Sequence, residues 1–431
     1  MHISNAHPGS RQRPGAPLIV HSHLRWDFVW QRPQQLLTRF AEHGPVLFLE
    51  EPIFLDDVSK CSLSVTIPYP NIYRAVPSLP GWLRGEYDLA IAEVRTLAMN
   101  ELSRDGTLGM RFADPVQWFY TPMPAPAMLG AFHEVAVVYD CMDELSKFRF
   151  AHPDLGRRER LLLSSADVVF TGGRKLWKSK SRMHSNVHFF GCGVDAEHFG
   201  KARDRELEIP ADLAAVTRAD APLAGYYGVI DERLDYELIA TLAASDAGLD
   251  VVMIGPTAKV DPASLPKAPN LHWLGTRPYE QLPDYVRAFD VCIMPFALNE
   301  ATEYINPTKT LEYMAAGRPV VSTAVPDVVS NFVPVVRVAR DAQDFVTGVK
   351  YDARHADGSR IRDGIAMAEA ASWDAIVGAM TTLIRRSIDA AGRRKSALAE
   401  ASLDAPITHR GERRVDAVSG DAGLAATSIL A

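Results

Sequence analysis

Cysteine is scarce: four in 431 residues, at 61, 141, 192 and 292, with no CxxC pair among them. That spacing builds neither a zinc site nor a disulfide framework, and reduced thiols in the cytosol are the expectation. No apolar run reaches the length that spans a bilayer, so a membrane-embedded enzyme is excluded. The opening residues, MHISNAHPGSRQRPGAP, lack an apolar signal-peptide core and read as a floppy lead. A positive balance is missing as well. The net charge of −7 argues against general nucleic-acid binding. Neither half carries GxGxxG after its first strand, and GYYG (225–228) is too weak a fingerprint for a dinucleotide site, which disfavours a dehydrogenase. His21 and His23 alternate at a strand end; two histidines alone make no metal site, and a structural role is the simpler reading. No metal and no cofactor are expected. No repeat of 20–50 residues is visible.

Hydrophobic residues make up 47% and charged residues 23%, the balance of a globular chain long enough for two domains. Short apolar runs alternate with helical patterns. The first series of expected strands is 18–23, 45–51, 87–94 (YDLAIAEV), 116–122, 135–141, 167–173 and 187–193. The second is 223–230, 250–256, 271–276, 291–296, 319–324 and 333–339. Brevity and β-branched or aromatic content favour buried parallel strands, so the pattern is βαβ, run twice. The charged, Ala-rich stretch 196–222 between the series marks the domain boundary. A helix is expected over 372–387, starting at a Ser cap, with Ile376, Met380 and Leu383 on one stripe. Beyond about 390 periodicity ends and disorder is expected. Two doubly wound domains would place ligands at the carboxyl ends of their strands.

One stretch draws attention within this frame: NPTKTLEYMAAGRPVVST, residues 306–323. Asn306 suits an N-cap, Pro307 the first helical position, and Gly317 the stop. A helix N-terminus presents unpaired N–H groups and a positive dipole end, a seat for phosphate. Lys309 adds a cation there. Glu312 lies roughly 7–8 Å from the helix end at about 1.5 Å per residue, within reach of a nucleotide's ribose. The plainer alternative is an exposed Lys–Glu pair at i, i+3.

This stretch resembles the donor-binding segment of bacterial group-1 glycosyltransferases, retaining enzymes with two facing Rossmann-like domains (the GT-B fold). The same resemblance runs through 21–51, VVYDCMDELSKF (137–148), GVDAEHF (193–199), GYYGVIDERLDYELI (225–239) and 274–296. It extends over residues 18 to about 387, and is strongest to a subgroup found in polysaccharide and teichuronic-acid assembly. It implies an α/β GT-B fold with a C-terminal crossover helix. The implied organisation is a lead 1–16, an acceptor domain 17–200, a linker 201–222, a nucleotide-sugar domain 223–371, the crossover helix 372–390 and a disordered tail 391–431.

The resemblance assigns Glu312 to the donor ribose, as the second acid of a Glu–seven residues–Glu motif. The first acid would fall at 304, where Tyr304 stands; Glu303 is one place off and Glu300 four. Val229 and Asp235 occupy positions where the family carries the diphosphate-binding Arg and Lys. Gly228, Arg233, Arg277, Thr308 and Lys309 complete the donor set, with Arg233 and Arg277 equally readable as solvated charges.

The first half would hold the acceptor. SHLRWDFVWQRP follows the first strand, and Trp26, Asp27 and Arg32 are the acceptor-binding candidates. Trp30 as a core anchor and Arg32 as helix surface are the competing readings. Asp140 suits a helix cap. Asp143 and Glu300 are the candidate catalytic carboxylates. Residues 145–184 hold ten Lys or Arg against three acids; this face would meet an anionic inner leaflet, or be a solvated helix.

The expected activity is sugar transfer from a UDP-, GDP- or dTDP-sugar to a glycan or lipid-linked acceptor, in the cytoplasm or on the inner membrane. A non-catalytic sugar-nucleotide-binding subunit and a nucleotide-sugar epimerase of the same fold are the alternatives.

Overall fold

The structure, a computed structural model, describes residues 15–403 apart from 105, 149, 150, 205 and 301. Most of the expected lead and tail therefore lie outside the described residues.

Two α/β sheets organise the chain. The first contains β1 (Leu18–Ser22), β2 (Val46–Glu50), β3 (Ile53–Leu55), β4 (Ser62–Tyr69), β5 (Ile72–Pro80), β6 (Val116–Phe119), β7 (Ala136–Cys141), β8 (Val168–Thr171) and β9 (Val187–Phe189). Its parallel core runs β5-β2-β1-β6-β7-β8-β9. The second contains β10 (Leu223–Tyr227), β11 (Asp250–Ile254), β12 (Leu271–Gly275), β13 (Val291–Met294), β14 (Val320–Ser322) and β15 (Arg337–Val338), in the order β12-β11-β10-β13-β14-β15. Both sheets reverse direction of winding beside their first strand, the place where doubly wound sheets open a crevice. Every residue of β1, β2, β10 and β11 is buried, as strands covered by helices on both faces require.

The first sheet departs from the expected strand series. YDLAIAEV belongs to a helix, Tyr87–Arg104, whose Ala90, Ile91, Val94 and Ala98 bury one face at helical spacing. The strands missing from the series are the short β3 and the antiparallel pair β4 and β5. In β4 the half-buried Leu63 and Val65 alternate with the exposed Ser62, Ser64 and Thr66, a one-sided strand rather than a continuous apolar run. β15 is only Arg337–Val338, and Val333 is exposed.

The boundary stretch is packed rather than loose. Phe199, Ala202 and Leu213 all lie in the core around the second sheet. The chain returns to the first domain through the helix Trp373–Leu403, longer than the expected 372–390. Ser372 Oγ accepts the Asp374 N–H at 3.1 Å, as a cap should. The buried stripe is Trp373, Val377, Met380 and Ile384, which join the first domain's core beside Trp118 and Phe170; Ile376 and Leu383 flank it.

The two crossings between domains run side by side. Val194 N–H donates to Ala371 C=O at 2.8 Å, and Val194 bridges Ser372. A Cβ on Gly193 would lie 2.7 Å from Trp373 Cδ2, so the indole sits directly on the backbone of the outgoing crossing. Trp373→Ala should lower unfolding stability by about 3–5 kcal/mol. Gly193→Ala should cost about 1–3 kcal/mol through overpacking. Urea denaturation of both variants checks this; a loss below about 1 kcal/mol for Trp373→Ala would show that the return helix is not the brace.

Candidate active site

A cavity of about 650 Å³ opens between the carboxyl ends of the two sheets. One wall comes from the loops after β1, β7 and β8 together with Cys192, beyond β9. The other comes from the loops after β10, β11, β12 and β13 and from the helix Lys309–Ala315.

The Lys309 helix begins later than its sequence suggests. Thr308 occupies the cap position, and neither Asn306 nor Pro307 is helical. Asn306 instead reaches across to the first domain, where its Nδ2 donates to Gly172 C=O at 3.1 Å. Gly317, at φ +68°, ends the helix in the left-handed conformation that glycine adopts freely.

Lys309 faces the cavity between the rings of Tyr226 and Phe296, with Nζ 5.4 and 5.3 Å from their centroids. It pairs with no carboxylate among the described residues. Burial, helped by the neighbouring Arg233 and opposed by Glu312 and Asp231, lowers its pKa to about 8. Gly228 approaches so closely that a Cβ there would meet Lys309 Cε at 2.9 Å, and its φ of +143° belongs to glycine alone.

Arg233 lines the cavity rather than the outer surface. Its Nη2 and Nε reach Asp231 at 2.7–3.1 Å. Burial opposes its charge, but Asp231 outweighs burial and holds the guanidinium protonated. Its charge is therefore already matched, whereas that of Lys309 is free. Glu312 lies on the same helix as Lys309 and accepts the Tyr227 hydroxyl. Burial raises its pKa, opposed by Tyr227 and Lys309. Arg277 contributes to the lining, but its guanidinium is taken up by Asp212, by Tyr285 Oη at 2.7 Å and by the Leu274 carbonyl at 2.6 Å.

The first-domain wall revises several expectations. Trp26 lines the cavity from within the core, 5% exposed and edge-on to Phe48 at 5.2 Å. Trp30 is the cleft residue; its ring lies 6.0 Å from Tyr279 of the second domain, and Gln35 donates to the same tyrosine's hydroxyl at 2.9 Å. Arg32 is neither helix surface nor a free donor. It is buried against Asp140 (Nη2–Oδ1 2.9 Å) and donates to the Phe190 carbonyl at 3.0 Å. Asp140 is thus the partner of Arg32, not a helix cap. Asp27 lines the cavity but is paired with Arg74.

Asp143 does face the cavity. Burial raises its pKa, Arg233 opposes and Asp231 adds to the rise. Glu300 does not: its side chain is 73% exposed, pairs with Lys147 at 3.1 Å and lies outside the cavity lining. Glu303 pairs with Lys175, which lies over the ring of Tyr304 at 5.2 Å. Tyr304 packs on the first domain's core.

The basic run 145–184 is partly consumed inside the fold. Lys180 is buried between Glu144 and Glu159 at 2.8 and 2.7 Å, and buried Arg158 pairs with Asp88 at 2.7 Å. Arg160, Lys178 and Arg182 remain exposed, as does Trp177.

Comparison with known proteins agrees with this geometry. Residues 233–351, the heart of the second domain, match the family model of the group 1 glycosyl transferases. A Bacillus subtilis (strain 168) protein, TuaH, named as a putative teichuronic acid biosynthesis glycosyltransferase, is 25% identical over 226 residues, 48% of this chain and 55% of that protein. The match thus spans about half the length of that relative. Among solved structures, the sucrose-phosphate synthase of Thermosynechococcus elongatus superposes with a TM-score of 0.62 at 16% identity, covering 87% of this chain and all of that one. The E. coli trehalose-6-phosphate protein bound with UDP-2-fluoro glucose gives 0.63 at 13%, covering 86% and 99%. At such identities the likeness is one of fold, and that fold is GT-B. No helix among the described residues is long and apolar enough to cross a membrane.

Arg32→Ala strands the buried Asp140 carboxylate and should cost about 3–5 kcal/mol. Denaturant unfolding measures it. A variant of unchanged stability would return Arg32 to the set of ligand-facing donors.

Proposed function

We propose that the protein is a glycosyltransferase that moves a sugar from a nucleotide diphosphate sugar to a glycan or lipid-linked acceptor, with retention at the anomeric carbon. The observation that carries this reading is Lys309, a desolvated ammonium with no carboxylate partner on the wall of the interdomain cavity. Such a group favours an anion. A phosphate oxygen at 4 Å gains about 4 kcal/mol from it at an effective dielectric of 20. Arg233, matched by Asp231, adds little net charge, so the leaving diphosphate is assigned to Lys309. Glu312, one turn along the same helix, takes the ribose.

On the first-domain side Asp143 is the carboxylate available to a sugar or acceptor hydroxyl. Catalysis in this reading is chiefly stabilisation of the departing diphosphate, with closure limiting hydrolysis. No metal is assigned, because the lysine supplies the cation. The relative's name favours cell-surface polysaccharide synthesis. The exposed Arg160, Lys178 and Arg182 with Trp177 would meet an anionic leaflet where the acceptor is lipid-linked.

Incubation with UDP-, GDP- and dTDP-sugars, with and without lipid acceptor in anionic or neutral vesicles, should show acceptor-dependent nucleotide release. Binding without turnover on every combination would make the chain a non-catalytic subunit. Equal rates on both vesicle types would remove the membrane contact.

The pH dependence follows from Lys309. Below about pH 8 it is charged and holds the diphosphate; as pH rises through 8 the charge is lost and affinity falls. Binding of UDP, GDP or dTDP followed by calorimetry from pH 7 to 9.5 should weaken by up to about tenfold per unit above the lysine's pKa. Lys309→Arg should keep its affinity to higher pH, because a guanidinium stays protonated. A flat profile in the unmodified protein would remove Lys309 from the site.

A further inference from the structure

We propose that Tyr227 is a positioning residue for Glu312: its hydroxyl occupies one carboxylate oxygen and so aims the other into the cavity, toward a ligand's vicinal diol. The inference rests on the donor-site reading above and adds to it a residue that no motif in the sequence singled out.

Tyr227 closes β10 and cannot swing. Its ring lies parallel to Phe199 (6.0 Å, 3°) and edge-on to Tyr313 (5.0 Å, 82°). Its backbone N–H donates to Tyr313 Oη at 3.0 Å. The hydroxyl is thereby delivered to a fixed point, where Glu312 Oε2 accepts it. A phenylalanine would fill the same packing space, so the oxygen is present for its hydrogen bond. That bond is charge-assisted, and such bonds are about twice as strong as neutral ones. Among the described residues no other hydrogen bond reaches the Glu312 carboxylate, and the side chain lines the cavity. A carboxylate has room for several donors, so acceptor capacity is left over and it faces the ligand space.

The titratable groups around Glu312 come from every packed element. Lys309 lies on its own helix, Cys192 beyond β9, Tyr279 after β12, Tyr227 at the end of β10 and Tyr313 on the helix. Burial pushes the Cys192 thiol up to about 11 and raises all three phenols. Of these groups only Lys309 is charged near neutral pH. Among the described residues the Tyr227 phenol is the one hydrogen-bond donor that favours the ionised form.

Calorimetry with UDP, GDP and dTDP between pH 4.5 and 8 tests this in the full chain, using Tyr227→Phe, Glu312→Gln and the double variant. Affinity in the unmodified protein should fall as acid protonates Glu312. Tyr227→Phe should move that midpoint up by about one to two pH units and weaken binding about tenfold at pH 7. Glu312→Gln should abolish the acid limb, and adding Tyr227→Phe to it should cost nothing more. A Tyr227→Phe loss that is equal at every pH, or that persists undiminished in the Glu312→Gln background, would make Tyr227 a packing residue and overturn the inference alone. No binding of any of the three nucleotides by the unmodified protein at any pH would overturn the donor site itself, and the inference with it.

Discussion

The group on which the cleft depends is the ammonium of Lys309. Desolvating a charge is costly, and proteins ordinarily answer it with an opposite charge in contact. Here the contacts are two aromatic faces, from Tyr226 and Phe296. They offset part of the cost, since a ring quadrupole attracts a cation, but they leave the charge uncompensated. The neighbourhood accommodates it. Position 228 has no side chain because one would strike the lysine stem. The nearest other cation, Arg233, is neutralised by Asp231 instead of adding a second free charge. Glu312 stands close enough to oppose the lysine's depressed pKa without closing a salt bridge onto it.

The cavity exists only where both domains contribute, and two kinds of contact join them. At the crossings the contact is apolar and tight: Trp373 under Gly193, with the indole buried in the first domain's core. Elsewhere it is polar: Asp327 accepts the Arg174 N–H at 2.9 Å, Lys175 meets Glu303, Lys147 meets Glu300, and Gln35 meets Tyr279. Exposed ion pairs such as Lys147–Glu300 contribute at most about 1 kcal/mol each.

Much of this was legible in the sequence where the signal is local. Short fully apolar runs read as strands because both faces of a parallel sheet are covered. Lys309 and Glu312 read as a ligand pair because they share one turn of one helix. What was misread depends on distant partners or on a local ambiguity. YDLAIAEV is short enough to fit either period, and its face is decided by the sheet it covers. Arg32 and Asp140 are 108 positions apart, so nothing local says that one neutralises the other. Trp26 and Trp30 have the same side chain four residues apart; only the fold buries the first against Phe48 and sets the second beside Tyr279 of the other domain. Tyr227 is missed for the same reason, since its partner lies 85 residues away.

Glu303, Tyr304 and Glu300 are the residues nearest to the place where the first acid of the motif would fall. Glu303 and Glu300 are drawn outward to lysines of the first domain, and Tyr304 packs on that domain's core. The segment therefore serves the joint between the domains instead of the cavity. Of the carboxylates that do line the cavity, Glu312 is committed to Tyr227 and Asp27 to Arg74, and Glu280 is on the loop after β12. Asp143 and Glu280 remain, and of the two only Asp143 arrives from the first domain. In the proposed reaction, then, the second domain binds the nucleotide, but the carboxylate that meets the sugar or its acceptor comes into place only when the two domains approach. Chemistry would be coupled to closure by the origin of a single side chain, and a nucleotide sugar held in the open cleft would lack the group needed to react.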